Sequence, residues 1–132
     1  MIIGLNPSTA DEKENDPTIV RCINFAKSWG YGGVCVANLF AFRATLPIEM
    51  MASKDPIGKE NDEWLYKLAN EAAIVVAAWG NDGSYLNRSE EILGKLLNLY
   101  CIKMNKSGEP AHPLYLKADL KPLPIRTSHC LE

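Results

Sequence analysis

Four short apolar runs punctuate the chain: Ile2 to Leu5, Val34 to Ala37, Ala73 to Trp79 and Tyr100 to Met104. Between them, apolar residues recur at helical spacing. Runs that are apolar throughout, without polar alternation, fit strands buried on both faces. Strands that alternate with helices argue for a parallel sheet covered on two sides. The expected fold class is therefore α/β: a three-layer α/β/α arrangement with a central, mostly parallel four-stranded sheet.

The helical segments carry their own signals. Asp16-Pro17 offers an N-cap followed by proline at the first helical position. Ile19, Cys22, Ile23 and Ala26 follow at helical spacing, and Gly30 stops the helix. A long connection with Pro47 and Pro56 precedes a helix from about Lys59 to Ala72, with Trp64, Leu65, Leu68 and Ala69 on one face. Gly80-Asn81-Asp82-Gly83 cuts the third strand. Ile92, Leu93, Leu96 and Leu97 mark a further helix. Beyond the polar turn Asn105 to Pro110, the chain becomes proline-punctuated and irregular.

Length and composition narrow the possibilities. At 132 residues, residues 1–130 read as one domain, with Leu131-Glu132 as an expression scar. Met1 falls within the first strand, so either the fold starts there or upstream sequence is absent. No apolar run approaches the roughly 18 residues that a membrane span needs, and no basic and apolar leader is present. A cytoplasmic protein with no membrane partner is expected. The formal net charge of −2 gives no footprint for tight non-specific nucleic-acid binding. Cys22, Cys35, Cys101 and Cys130 form no C-x-x-C pair and have no histidine at ligand spacing, so no metal is expected. Reduced thiols are expected, with Cys22 and Cys35 acting as small hydrophobes.

Right-handed crossovers put the carboxyl ends of all parallel strands on one edge, where ligands of open α/β sheets sit. The first run ends in Asn6, the second in Asn38 and the third in Trp79-Gly80, while the loop after the fourth carries His112. Asn6 and Asn38 each offer one acceptor and two donor hydrogens. Buried, such amides either cap backbone or read a ligand. His112 reads as a surface residue or a proton-handling group, and Trp79 as core or as a stacking platform. Asp16 is best explained as the helix cap. Asp11 reads as a loop stabiliser or a water-orienting base, with Glu12 beside it. Arg43 and Lys106 are either solvated surface or phosphate contacts. Neither a Walker loop nor G-x-G-x-x-G is present, which weighs against nucleoside-triphosphate hydrolysis and dinucleotide binding.

The stretches GLNPSTAD, NDPTIVRCINFAKSWGYGG, NLFAFRAT, AAWG and HPLYL resemble domain-of-unknown-function family 1643, found in bacteria and phages. The match covers nearly the whole chain and implies no activity. More distantly, Gly4-Leu5-Asn6-Pro7 is similar to the first motif of the uracil-DNA glycosylase superfamily. Val34 to Leu39 resembles that superfamily's strand with a base-reading asparagine, Ile74 to Gly80 its third strand, and Ala111-His112-Pro113 the start of its final motif.

This second resemblance implies a uracil-DNA-glycosylase-like fold and roles in DNA repair. Asn6 would hold the attacking water, with Pro7 and Ser8 beside it. Asn38 would pair with the polar edge of an extruded base, with Trp79 nearby. His112 would donate to the base oxygen that gains charge as the glycosidic bond breaks. Arg43 and Lys106 would meet nucleic acid, and Leu116 would lie near the wedge that fills the vacated stack. No cofactor is implied.

The departures also carry information. Asn6 cannot accept a proton as a carboxylate does, Ser8 stands where a bulky tyrosine narrows the pocket of strict uracil enzymes, and Leu114-Tyr115-Leu116 replaces the Ser-Pro-Leu-Ser continuation. The four cysteines are spaced unlike those of the iron–sulfur branches.

Two readings lead. One is a hydrolase of N-glycosidic bonds in DNA, a nucleoside or a nucleotide. The other is a non-catalytic module on the same fold, whose partner is nucleic acid or a small nucleotide or nucleobase. A structural domain with a vestigial pocket is a third. The sequence leaves the oligomeric state open.

Overall fold

The computed structural model of the chain describes residues 1–8 and 16–125. Five strands form one sheet in the order β2-β1-β3-β4-β5. They are β1 (Ile2–Gly4), β2 (Val36–Asn38), β3 (Val75–Ala77), β4 (Leu99–Cys101) and β5 (Leu123–Pro124). The first four are parallel, with Ile2 opposite both Val36 and Val76, and Val75 opposite Leu99. β5 runs antiparallel to β4 and pairs Pro124 with Tyr100. The expected four-stranded sheet is thus corrected to five. Two residues that include a proline make no apolar run, so this strand exists through its pairing alone.

The helices are α1 (Pro17–Ser28), α2 (Pro47–Met51), α3 (Asn61–Glu71) and α4 (Arg88–Lys95). Side chains alternate across the strands. Ile3 and Ala77 join Met50 of α2, Leu65 of α3 and Ile92 of α4 in one core cluster. Ile2 and Val76 join Cys22 and Phe25 of α1 in another. The sheet therefore lies between two helical layers. Among the described residues no helix is long and apolar enough to cross a membrane.

α1 begins as its sequence dictates: the Asp16 carboxylate accepts from the Thr18 N–H at 2.8 Å, and Pro17 follows at a position that needs no donor. Its buried stripe is Cys22, Phe25 and Ala26. Burying a side chain such as Phe25 contributes about 2–3 kcal/mol. Ile19 and Ile23, expected on that stripe, are each 37% exposed and look elsewhere. On α3, Leu65 is buried and Leu68 and Ala69 pack beside it, whereas Trp64 is exposed with the Lys67 ammonium over its ring. Leu97 lies beyond α4 in solvent.

The cysteines divide. Cys22 is buried, and burial together with the nearby Asp16 charge pushes its thiol up to about 11. Cys101 is also buried, and burial alone raises its pKa. Cys35 is exposed, which corrects its reading as a small hydrophobe, because β2 begins only at Val36. Cys130, Asp11 and Glu12 lie outside the described residues.

Arg88 is fully buried at the start of α4. Its Nε and Nη2 donate to the Leu39 carbonyl at 3.1 and 2.7 Å, and Nη2 also meets Asp62 at 2.7 Å and Nη1 meets Glu91 at 3.0 Å. Asn61 Nδ2 donates to the carbonyls of Asn38 and Leu39 at 2.9 and 3.0 Å. The backbone leaving β2 is thereby held from two helices at once. A Cβ on Gly83 would overlap the Trp79 ring, so only glycine lets the chain pass over that indole.

Candidate functional site

A cavity of about 930 Å³ opens at the carboxyl ends of the parallel strands. It is bordered by the segment after β1, by Asn38 at the end of β2, by Ala78 to Asp82 after β3, by His112 to Leu114, and by the first two turns of α1. Asn6, Pro7, Ser8, Asn38, Arg43, Trp79 and His112 all border it. Lys106 and Leu116 do not: Lys106 is exposed in its turn, and Leu116 packs against the core cluster on the α1 side. A smaller cavity of about 320 Å³ opens at the other end of the strands, with none of these residues in its lining.

Asn38 is the least engaged of the polar groups. Its Oδ1 lies over Gly4, at 3.0 Å from where a Cβ on that glycine would stand. Among the described residues its amide neither donates nor accepts a hydrogen bond, although the residue is half-buried and its backbone is clamped. Neither polar atom of this side chain is sealed from solvent, so its donor and its acceptor are both open to a molecule entering the cavity. Glycine at position 4 leaves the space that this side chain occupies.

His112 is presented by a hairpin. Met104 bridges Pro110, Ala111 N–H donates to the Lys103 carbonyl, and Gly80 N–H donates to the Pro110 carbonyl at 2.9 Å. These bonds bring the histidine beside the end of β3. The Leu114 N–H donates to Nδ1 at 3.2 Å, so the neutral ring carries its proton on Nε2. Burial lowers the His112 pKa, and the Asp16 charge opposes that shift without cancelling it. The ring is a neutral N–H donor at neutral pH.

Asn6 is partly spent. Its Nδ2 donates to the carbonyls of Ala44, Pro7 and Phe42 at 3.1, 3.2 and 3.3 Å, sharing two hydrogens among three acceptors. The Ala44 N–H returns a bond to Pro7. The amide thus pins the chain that follows β2, and among the described residues Oδ1 is left with no donor. Arg43 Nη1 donates to the Ser8 carbonyl at 2.7 Å, which fixes the guanidinium at the rim. Trp79 borders the cavity, but its ring is 1% exposed in the core and its N–H donates to Glu109 at 2.8 Å. No face of the indole is open for stacking.

Sequence reading missed two parts of this site. Ile19, Val20 and Ile23 form an apolar wall of the cavity, although the spacing of Ile19 and Ile23 reads as core. Asp16 borders the cavity as well as capping α1, and its second oxygen accepts the Ser8 hydroxyl at 2.8 Å. The Asn-Pro-Ser and Asp-Pro positions flank residues 9–15 of the sequence, yet no local spacing rule ties residue 8 to residue 16. Among the described residues no group of three or more His, Cys, Asp or Glu side chains gathers to hold a metal.

No curated protein and no solved structure matches the chain. A family model described as a protein of unknown function, DUF1643, matches residues 1–114, which include every residue bordering the larger cavity. The chain belongs to the DUF1643 family.

Proposed function

We propose that the larger cavity takes a nucleobase and that the protein hydrolyses the N-glycosidic bond of a base in DNA, on a fold akin to that of the uracil-DNA glycosylases. The observation that carries the reading is the pair of open polar groups on one cavity: the unpartnered Asn38 amide and the Nε2–H of a neutral His112. An amide presents a donor beside an acceptor, which matches the carbonyl beside an NH on a base edge. A neutral N–H donor suits the base oxygen that gains negative charge as the C–N bond breaks, and a donor so placed is worth about a hundredfold to a thousandfold in rate. Asn6 Oδ1 then orients water near the sugar.

A binding module for a nucleotide or nucleic-acid end is the second reading. It is favoured by Asn6, a neutral amide that cannot serve as a general base and whose Nδ2 is already committed to three carbonyls.

Base release from single- and double-stranded oligonucleotides carrying uracil, hypoxanthine, xanthine or a G·T mismatch tests the proposal. Wild-type protein is expected to release a base, with Asn38→Ala and His112→Ala slower by at least about a hundredfold. Binding of the same oligonucleotides with no release at high protein concentration would instead establish the binding module.

A further inference from the structure

Asp16 does more than a cap requires. Capping uses one oxygen, and serine or asparagine would serve as well. Here Oδ1 accepts from Thr18 N–H and Oδ2 accepts from the Ser8 hydroxyl, both at 2.8 Å, so the carboxylate is fixed from both sides of the segment that follows Asn6. Among the described residues, only Asp16 and Asp82 bring a carboxylate to the cavity. Asp82 is exposed at the start of a 3-10 turn (Asn81–Asn87), with no bond to the Asn6 loop. Asp16 is half-buried, and its charge reaches His112 across the cavity.

We propose that Asp16 is the carboxylate that faces the sugar, stabilising positive charge at the anomeric carbon and taking the proton of the attacking water, while Asn6 only orients that water. This rests on the N-glycosidic reading above. The C–N bond breaks with its electron pair leaving on the base, where His112 and Asn38 meet the developing charge. The water oxygen forms the new bond to the anomeric carbon and gives one proton to Asp16. That proton then passes to the departing base, so the products are free base and a sugar hemiacetal, and the carboxylate is restored. Two hydrogen bonds to the carboxylate leave it lone pairs for this transfer and hold it in place at no cost during the reaction. The role that Asn6 cannot fill is thereby taken by a residue whose cap function hides it in the sequence.

Asp16→Asn and Asp16→Ser both keep a capping side chain and remove the charge. Each is assayed for base release and for binding to two oligonucleotides with an abasic position, one carrying a pyrrolidine whose nitrogen is protonated, the other a neutral tetrahydrofuran. Wild-type protein is expected to bind the pyrrolidine oligonucleotide at least tenfold more tightly than its neutral counterpart. Both variants should lose that preference, keep tetrahydrofuran binding and thermal stability, and release base at least about a hundredfold more slowly. Variants that retain the wild-type rate and preference overturn the role of Asp16 and leave the N-glycosidic reading standing. Wild-type protein that releases no base and binds neither oligonucleotide overturns both.

Discussion

His112 shows how one bond sets the chemistry of a side chain. With Nδ1 occupied by the Leu114 N–H, protonation of the ring breaks that bond as well as placing a charge in a half-buried position. Its pKa in the folded protein lies below the 6.5 of the unfolded chain. Between those two values the unfolded state binds more protons, so stability rises with pH through that window and levels off above about 6.5. The melting temperature of the wild type should therefore climb between about pH 5 and pH 7 more steeply than that of His112→Gln. Equal slopes would mean that the ring titrates as if in water. Asp16→Asn should lower the His112 pKa further, because it removes the charge that opposes the shift. At this scale the sequence reveals where Asn6, Asn38 and His112 fall but not what each is free to do. The acceptors that occupy Asn6 lie up to 38 residues away, and no local pattern records them.

At the level of elements, α1 and α3 are legible because a capping residue or an apolar stripe fits a period of 3.6. α2 has five residues and β5 two, too few for any period to register. The Arg88 hub is similarly hidden: an arginine before a helical stripe reads as surface, yet it is fully buried against two carboxylates and a carbonyl. It fixes the chain just past Asn38, so α3 and α4 together set where the Asn38 amide stands at the cavity. Arg88→Met should cost about 3 kcal/mol in chemical denaturation, since it strips charge-assisted donors from Leu39 and removes the cation from Asp62 and Glu91. Both carboxylates reach solvent, which keeps the loss from being larger. An unchanged midpoint would show that Asn61 alone suffices to hold the turn.

Across the whole molecule, the parallel order of the strands is what gathers distant residues onto one rim. That much follows from alternating runs and right-handed crossovers, and it is why the candidate site was legible before its contacts were. The far edge of the sheet was not legible, and it has a consequence of its own. Ile125 N–H donates inward to Leu99, so by alternation the Pro124 nitrogen turns outward, on the side where a sixth strand would add. A proline there offers no amide to an incoming chain. The edge acts as a chain terminator: a neighbouring molecule that tried to extend the sheet would find a carbonyl without its matching donor, over a strand only two residues long. Pro124→Val, which restores the donor and adds a β-branched side chain, should shift sedimentation towards larger species as concentration rises, relative to the parent.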